Sequence, residues 1–218
     1  QEKLISFSNN ETFSVKHIAA CDGIKSTCRN LLINNDLYPA YSGYSVWRAI
    51  LDNKNNNVEF HLGPNYHVVT YPINNEKISF VAAIKTKKST EESWRKKGDF
   101  NELQAEVPSS ILQRYPSIQS NNEIYKWGVY TRKDINKLFL ENITFLGDAA
   151  HPIVPFMGQG GCLAIDDGYI FGSLVSKFKD DFKKSQSTYK DIRLNRVKNI
   201  HTKSLNQAKW NHLKNPIL

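Results

Sequence analysis

The sequence predicts an α/β fold, and three observations carry the prediction. The short apolar run Ile143 to Leu146 leads through a glycine-rich loop into a helix-spaced segment. Between residues 40 and 85 lie several strand-sized runs of alternating character, separated by turn clusters, as in an antiparallel sheet. The stretch Tyr189 to Trp210 carries apolar residues at Ile192, Val197, Ile200 and Leu205, a rough helical spacing with lysines between them.

Taken in order, the chain opens on a hairpin: Leu4 to Phe7, a turn at Asn9-Asn10-Glu11, then Phe13 to Ala20 as the second strand. A polar stretch after Asp22-Gly23 ends in the basic Arg29. The sheet comprises Tyr44 to Ile50, Val58 to Leu62, His67 to Ile73 and Ile78 to Ile84. Asn53 to Asn57, Gly63-Pro64-Asn65 and Asn74-Asn75 punctuate it. Asp99-x-x-Glu102 is a capping pattern that opens a short helix, closed before Pro108. A second short helical piece runs to Tyr115 and ends at Pro116, and Ile124 to Thr131 returns to strand. After the glycine-rich loop, Leu163, Ile170, Leu174 and Phe178 form one apolar helical stripe. The organisation expected is residues 1–40, a sheet domain over 41–132, and a return over 133–218.

Composition excludes several classes. At 218 residues and 40% hydrophobic, the chain can bury one sizeable core or two small ones. No apolar run approaches the 18 or so residues of a membrane span. The net charge of +8 is local: Lys177 to Lys214 holds eleven basic and three acidic residues, so the remainder is neutral. A nucleic-acid binder would be basic throughout, so the stretch reads as a surface helix with a solvated face. Cys21, Cys28 and Cys162 form an odd set with no C-x-x-C pair. Neither a disulfide framework nor a zinc site fits them, no metal is expected, and they read as small buried residues in a reducing cytoplasm.

The chemistry concentrates in Phe145 to Asp167, FLGDAAHPIVPFMGQGGCLAIDD. A buried strand ending at Gly147 lets a ligand approach the backbone closely. Asp148 then places a carboxylate at the carboxyl end of that strand, where open α/β sheets bind ligands, and it suits hydroxyl donors. Pro152 and Pro155 stiffen the loop and leave carbonyls without N–H neighbours. Gly158-Gln159-Gly160-Gly161-Cys162 enters the helix with free amides and the positive dipole end, a site for negative charge. His151 reads as a hydrogen-bonding prop for the loop rather than a base.

This string resembles the GD motif of the group A FAD-dependent aromatic monooxygenases, the family of salicylate and hydroxybenzoate hydroxylases. Upstream, Ala20-Cys21-Asp22-Gly23-Ile24-Lys25-Ser26-Thr27-Cys28-Arg29 resembles their DG motif, G-A-D-G-x-x-S-x-x-R; Asp22, Gly23, Ser26 and Arg29 match, while Ala20 and Cys21 replace Gly-Ala. His61 to Pro64 and His67 to Pro72 are similar to the middle sheet of salicylate-hydroxylase-like members. The resemblance implies a partial FAD-binding domain of the glutathione-reductase-like kind, with a substrate sheet and C-terminal helices. It implies NAD(P)H as co-substrate and hydroxylation of a small aromatic ring by O2 through a C4a-hydroperoxyflavin. By the match, Asp148 takes the ribityl chain, and Gly160, Gly161 and Cys162 offer amides to the flavin ring. The Pro155 carbonyl lies near the substrate. Asp22 and Gly23 border the flavin and its pyrophosphate, and Arg29 neutralises charge there.

Family members begin with G-x-G-x-x-G, and none of the 11 glycines forms it, so an N-terminal FAD-binding segment is expected to be missing. Alternation places Tyr44, Val46 and Arg48 on one strand face, and His67, Val69 and Tyr71 on another. Arg48, His67 and Tyr71 directed at one cavity would suit an aromatic acid or phenol, Arg48 pairing with the acid and His67 or Tyr71 assisting the phenolic proton. Besides the substrate and dioxygen, the partners expected are the missing segment and a second copy in a homodimer, with no nucleic acid. The competing expectation is a non-catalytic remnant or split subunit that cannot hold FAD alone.

Overall fold

The computed structural model describes residues 3–32, 38–52, 55–93, 95–133, 135–179 and 181–213. The chain forms two compact units, Gln1–Ala40 with Tyr130–Leu205, and Tyr41–Val129 with Asn206–Leu218. The first unit therefore leaves and re-enters the sequence around the second. The end of the last helix clusters with the second unit, whereas the sequence had placed all of 133–218 with the first.

In the first unit, β1 (Lys3–Ser6) and β2 (Thr12–Val15) pair antiparallel as the expected hairpin. The run Phe13 to Ala20 is not one strand. It breaks at Lys16-His17, and β3 (Ile18–Ala20) joins a different sheet, parallel to β10 (Ile143–Phe145) and beyond it β9 (Phe139–Leu140). His17 marks the break: its Nε2 lies 3.0 Å from Thr144 Oγ1 and its ring stacks on Phe182 at 4.5 Å. A six-residue helix, α1 (Thr27–Leu32), follows β3. Helix α4 (Gly160–Lys177) packs Leu163, Phe171 and Leu174 inward, and α5 (Phe182–Asn211) adds Tyr189 and Val197.

The second unit is a five-stranded sheet of order β5-β6-β7-β4-β8. Its strands are β4 (Ala40–Asp52), β5 (Glu59–Gly63), β6 (Tyr66–Pro72), β7 (Lys77–Lys85) and β8 (Tyr125–Thr131). One face carries Trp47, Ala49, Leu51, Val68, Ile78, Phe80, Ala82 and Ile84 in a core closed by Leu103, Val107, Ile111 and Leu112. Those last residues come from α2 (Phe100–Glu106), its C-cap, and α3 (Ser109–Leu112). Asp99 accepts from the Glu102 amide at 2.9 Å, so the capping pattern starts α2 as read. Pro116 opens a 3-10 turn, Pro116–Ile118, rather than simply ending a helix. Lys126 reaches this covered face, bonding Glu102 at 2.6 Å and Glu106 at 2.8 Å beside the Trp47 ring.

Candidate functional site

The parallel register decides what meets what in the first unit. Phe145 pairs with Ala20, and the Leu146 amide donates to the Ala20 carbonyl at 3.0 Å. Cys21-Asp22-Gly23 and Leu146-Gly147-Asp148 therefore leave the sheet at the same carboxyl end, the end where ligands of such sheets bind. Between them and the start of α4 lies a cavity of about 310 Å3, lined by Cys21, Gly23, Leu146, Gly147, Asp148, Gly160, Gly161 and Ala164. Gly23 and Gly147 hold positive φ, +74° and +57°. At Gly23, Gly158 and Gly161 an added Cβ would meet nothing within 4 Å, so the glycines leave open room for a ligand along the backbone. Gln159 at the α4 N-cap makes no side-chain capping bond, so the amides of Gly160, Gly161 and Cys162 keep the polarity of an uncapped helix start.

A buried network that the sequence reading did not single out fixes the loop. Asp167, fully buried on α4, accepts from the Gly147 amide at 2.8 Å, from His151 Nε2 at 2.6 Å and from Arg193 Nε at 2.7 Å. Burial pushes this carboxyl up, but His151, the Gly147 amide and Arg193 outweigh it and hold the acid below its usual range. Arg193 also donates to the Leu163 carbonyl at 3.2 Å. Downstream, Thr131 Oγ1 donates to the Pro152 carbonyl at 2.7 Å and lies 3.0 Å from His201 Nε2. The available signal was an acid on the apolar stripe of α4, four residues after Leu163.

Several site residues take roles other than those expected. Arg29 does not line the cavity: it is 1% exposed, its guanidinium sits over the Phe145 ring, and Nη1 donates to the carbonyls of Lys137 and Ala149. Asp22 accepts from the Cys28 amide at 3.0 Å beside Ser26, whose Oγ caps α1 by accepting from the Arg29 amide at 3.0 Å. Burial pushes the Asp22 pKa up, yet the bonds from Ser26 and Cys28 more than offset that and leave the carboxyl below its usual range. The Pro155 carbonyl accepts from Gly158 N at 2.9 Å in the turn Pro155–Met157. Cys21 and Cys162 are exposed rather than buried, because each sits where the backbone turns into the cavity or the helix. Partial burial, then the charges of Asp22 and Asp167, push the Cys21 thiol up.

In the second unit, Arg48, Val81 and Val69 form one cross-strand row, Val46, Ala83 and His67 the next, and Ile50, Ser79 and Tyr71 a third. Arg48, His67 and Tyr71 thus share the sheet face opposite the helices. Among the described residues, no cavity is lined by all three. Arg48 lines a space of about 240 Å3 with Ala49, Ile50, Glu123, Tyr125 and Trp127. His67, two strands away, is 5% exposed and lies 2.7 Å from His212 Nε2 through its Nδ1. Burial, then the neighbouring imidazole, lowers His67 to about 4; burial, then Lys85, lowers His212 to about 4. Tyr71 is 37% exposed. Among the described residues, no group of three or more His, Cys, Asp or Glu side chains could hold a metal, and no helix is long and apolar enough to cross a membrane.

A parallel strand pair that delivers two glycine turns to one cleft, with an antiparallel sheet inserted in sequence between them, defines a cofactor-binding α/β class. A family model described as an FAD binding domain matches residues 6–204, and the chain belongs to that family. Its relatives include aromatic hydroxylases. It is 27% identical over 217 residues to 3-amino-4-hydroxybenzoate 2-monooxygenase of Streptomyces platensis, covering 96% of this chain and 54% of that protein. It is 28% identical over 204 residues to 3-hydroxybenzoate 6-hydroxylase of Polaromonas naphthalenivorans, covering 89% and 50%. The chain thus spans about half the length of the curated relatives it matches. The fold matches a salicylate hydroxylase solved as a substrate complex, with TM-score 0.80 and 18% identity over all of this chain and 63% of the other. A Klebsiella pneumoniae HpxO variant complexed with FAD gives TM-score 0.80 at 19% identity, covering 98% and 57%.

Proposed function

We propose that this chain is part of an FAD-dependent monooxygenase that hydroxylates a small aromatic compound at the expense of NAD(P)H and O2. The observation that supports it is the single cleft walled by both glycine turns and the start of α4. Its donor set suits the cofactor: a carboxylate at one wall, backbone amides at the other, and glycines between. When bound, FAD supplies electron transfer from NAD(P)H and activation of dioxygen. Asp148 would accept from the hydroxyls of the ribityl chain, and the amides of Gly160, Gly161 and Cys162 would favour negative charge on the ring. The backbone at Gly23, Gly147 and Gly158 makes room for close approach, and the turn at Pro155 fixes where the α4 amides begin. On the sheet, Arg48 would take an acid group. Among the described residues, His67, 5% exposed and bonded to His212, and Tyr71 line no cavity with it, so the proton step is not assigned to them. Three cysteines left as thiols suit a reducing cytoplasm.

The test is protection of Cys21. FAD should slow alkylation of Cys21, read by peptide mass mapping, while Cys28 outside the cavity reacts unchanged. Equal alkylation of Cys21 with and without saturating FAD, both in the chain alone and fused behind a relative's N-terminal part, would sink the assignment. A second reading is that these residues hold FAD only together with a glycine-fingerprint segment, since none of the 11 glycines here forms G-x-G-x-x-G. Fusion behind the N-terminal part of 3-hydroxybenzoate 6-hydroxylase separates the two: protein that turns yellow and oxidises NAD(P)H only when fused supports this reading.

A further inference from the structure

We infer that a cavity in the helix layer of the second unit, between α2 and the turn after α3, is a binding site for a neutral, hydroxyl-rich ring of sugar size. It measures about 360 Å3. A water molecule takes about 30 Å3, so the space holds about a dozen of them, enough for one or two pyranose rings. Buried Leu112 and Ile118, half-buried Phe100 and exposed Pro116 form its apolar part. Asn101, Gln104, Ser109, Gln113 and Gln119 supply four carboxamides and a hydroxyl, all on exposed residues. These groups project from three short elements with fixed starts: Asp99 caps α2, Pro108 precedes α3, and Pro116 opens the 3-10 turn.

The lining selects the ligand. None of the five polar side chains makes a hydrogen bond among the described residues, so all keep their donors and acceptors for a guest. No charged side chain lines the cavity, so an anion or a cation would lose water there with no counter-charge to offset the loss. A hydrocarbon would leave the carboxamides without partners. One carboxamide carries an acceptor and two donors in a plane, and so pairs with two adjacent hydroxyls, accepting from one and donating to the other. A pyranose has such hydroxyl pairs around its rim and an apolar C–H face, which the Phe100 and Pro116 rings can receive. Phe100 is the one aromatic wall, so a flat base would not be sandwiched. The site lies in the helix layer, on the opposite side of the sheet from Arg48, and involves neither that residue nor the flavin cleft.

The experiment is an NMR titration of the isotope-labelled chain with the methyl glycosides of glucose, galactose and N-acetylglucosamine, read at the side-chain amides. The expected result is saturable shifts at Asn101, Gln104, Gln113 and Gln119 for at least one of the three, with a dissociation constant of about 1 mM. Cyclohexanol, which keeps a ring but a single hydroxyl, should bind about tenfold more weakly, and glucuronate should gain nothing from its charge. Gln104→Ala should weaken the best sugar about fivefold. Ser109→Trp, which fills the cavity from an exposed position, should abolish the shifts while the urea midpoint stays unchanged. No saturation by any of the three sugars up to about 50 mM overturns the proposal on the unmutated chain, whatever the variants do. Equal affinity for cyclohexanol, tighter binding of glucuronate, or shifts that survive Ser109→Trp overturn it too. Protection of Cys21 by FAD is read in the other unit and stands or falls separately.

Discussion

Asp167 concentrates more consequence than any other side chain in the first unit. It ties the Gly147 turn, the His151 ring and Arg193 together from a fully buried position. Breaking a buried pair strands the remaining charge, which costs about 3–5 kcal/mol. Asp167→Asn should therefore lower unfolding free energy by about 3 kcal/mol in urea titrations, with the first unit affected most. Because its folded pKa lies below the unfolded value, the stabilisation is present above the usual carboxylate range and disappears as pH falls through the depressed value. The imidazole pair His67 and His212 behaves differently. Both are lowered from 6.5 to about 4, so folded imidazoles refuse protons that unfolded ones accept. Stability should hold above pH 6.5 and decline between 6.5 and about 4, read as the urea midpoint against pH. Replacing His212 by Gln should flatten that decline. At this scale residue type alone pointed to Gly23, Gly147 and Asp148, and all three line the cavity at the carboxyl end of the parallel strands. The sequence was not legible for Arg29 or Asp167, because whether a charge faces a ligand or a buried partner depends on tertiary neighbours.

Among the elements, the turn into the 3-10 segment Gly147–Ala149 and the helix starts are the most exposed to single changes. Gly147→Ala would put a Cβ at φ +57° and 3.0 Å from the Ala164 Cβ, so it should cost about 1–3 kcal/mol and weaken FAD protection of Cys21. Asp99→Ala removes the α2 cap and should cost about 1 kcal/mol, read as a lowered urea midpoint with no effect on the first unit. Strand alternation named β4, β6 and β7 within a residue or two at most ends, since one face of the sheet is buried and the other is not. Helix α5 defeated the same logic. Its buried positions include Ser185, Gln186, Arg193 and Ser204, while Ile192, taken for part of an apolar stripe, is 50% exposed. A helix that buries polar groups in hydrogen bonds carries no hydrophobic period to read.

At the scale of the molecule, β3 lies at the edge of its sheet, and the outward side of α4 shows Ile165 and Tyr169, 74% and 77% exposed. Parallel strands are stable mainly when covered on both faces, so the isolated chain should self-associate at high concentration. Fusion to a relative's N-terminal part should suppress the light scattering that reports this; unchanged scattering would show the edge to be harmless. The parallel pair has a further consequence, for the order in which the molecule assembles. β3 and β10 meet across more than a hundred residues of chain, most of them the second unit. Closing such a length as coil is entropically slow. Ser42 Oγ, however, donates to the Val129 carbonyl at 2.7 Å, so the sheet unit, once formed, brings its own entry and exit side by side. Nucleation in β4, β6 and β7 would then shorten the remaining search from the 122 residues between Ala20 and Ile143 to the 34 outside Ser42 to Val129, and the cleft would be the last part to acquire slow-exchanging amides during refolding.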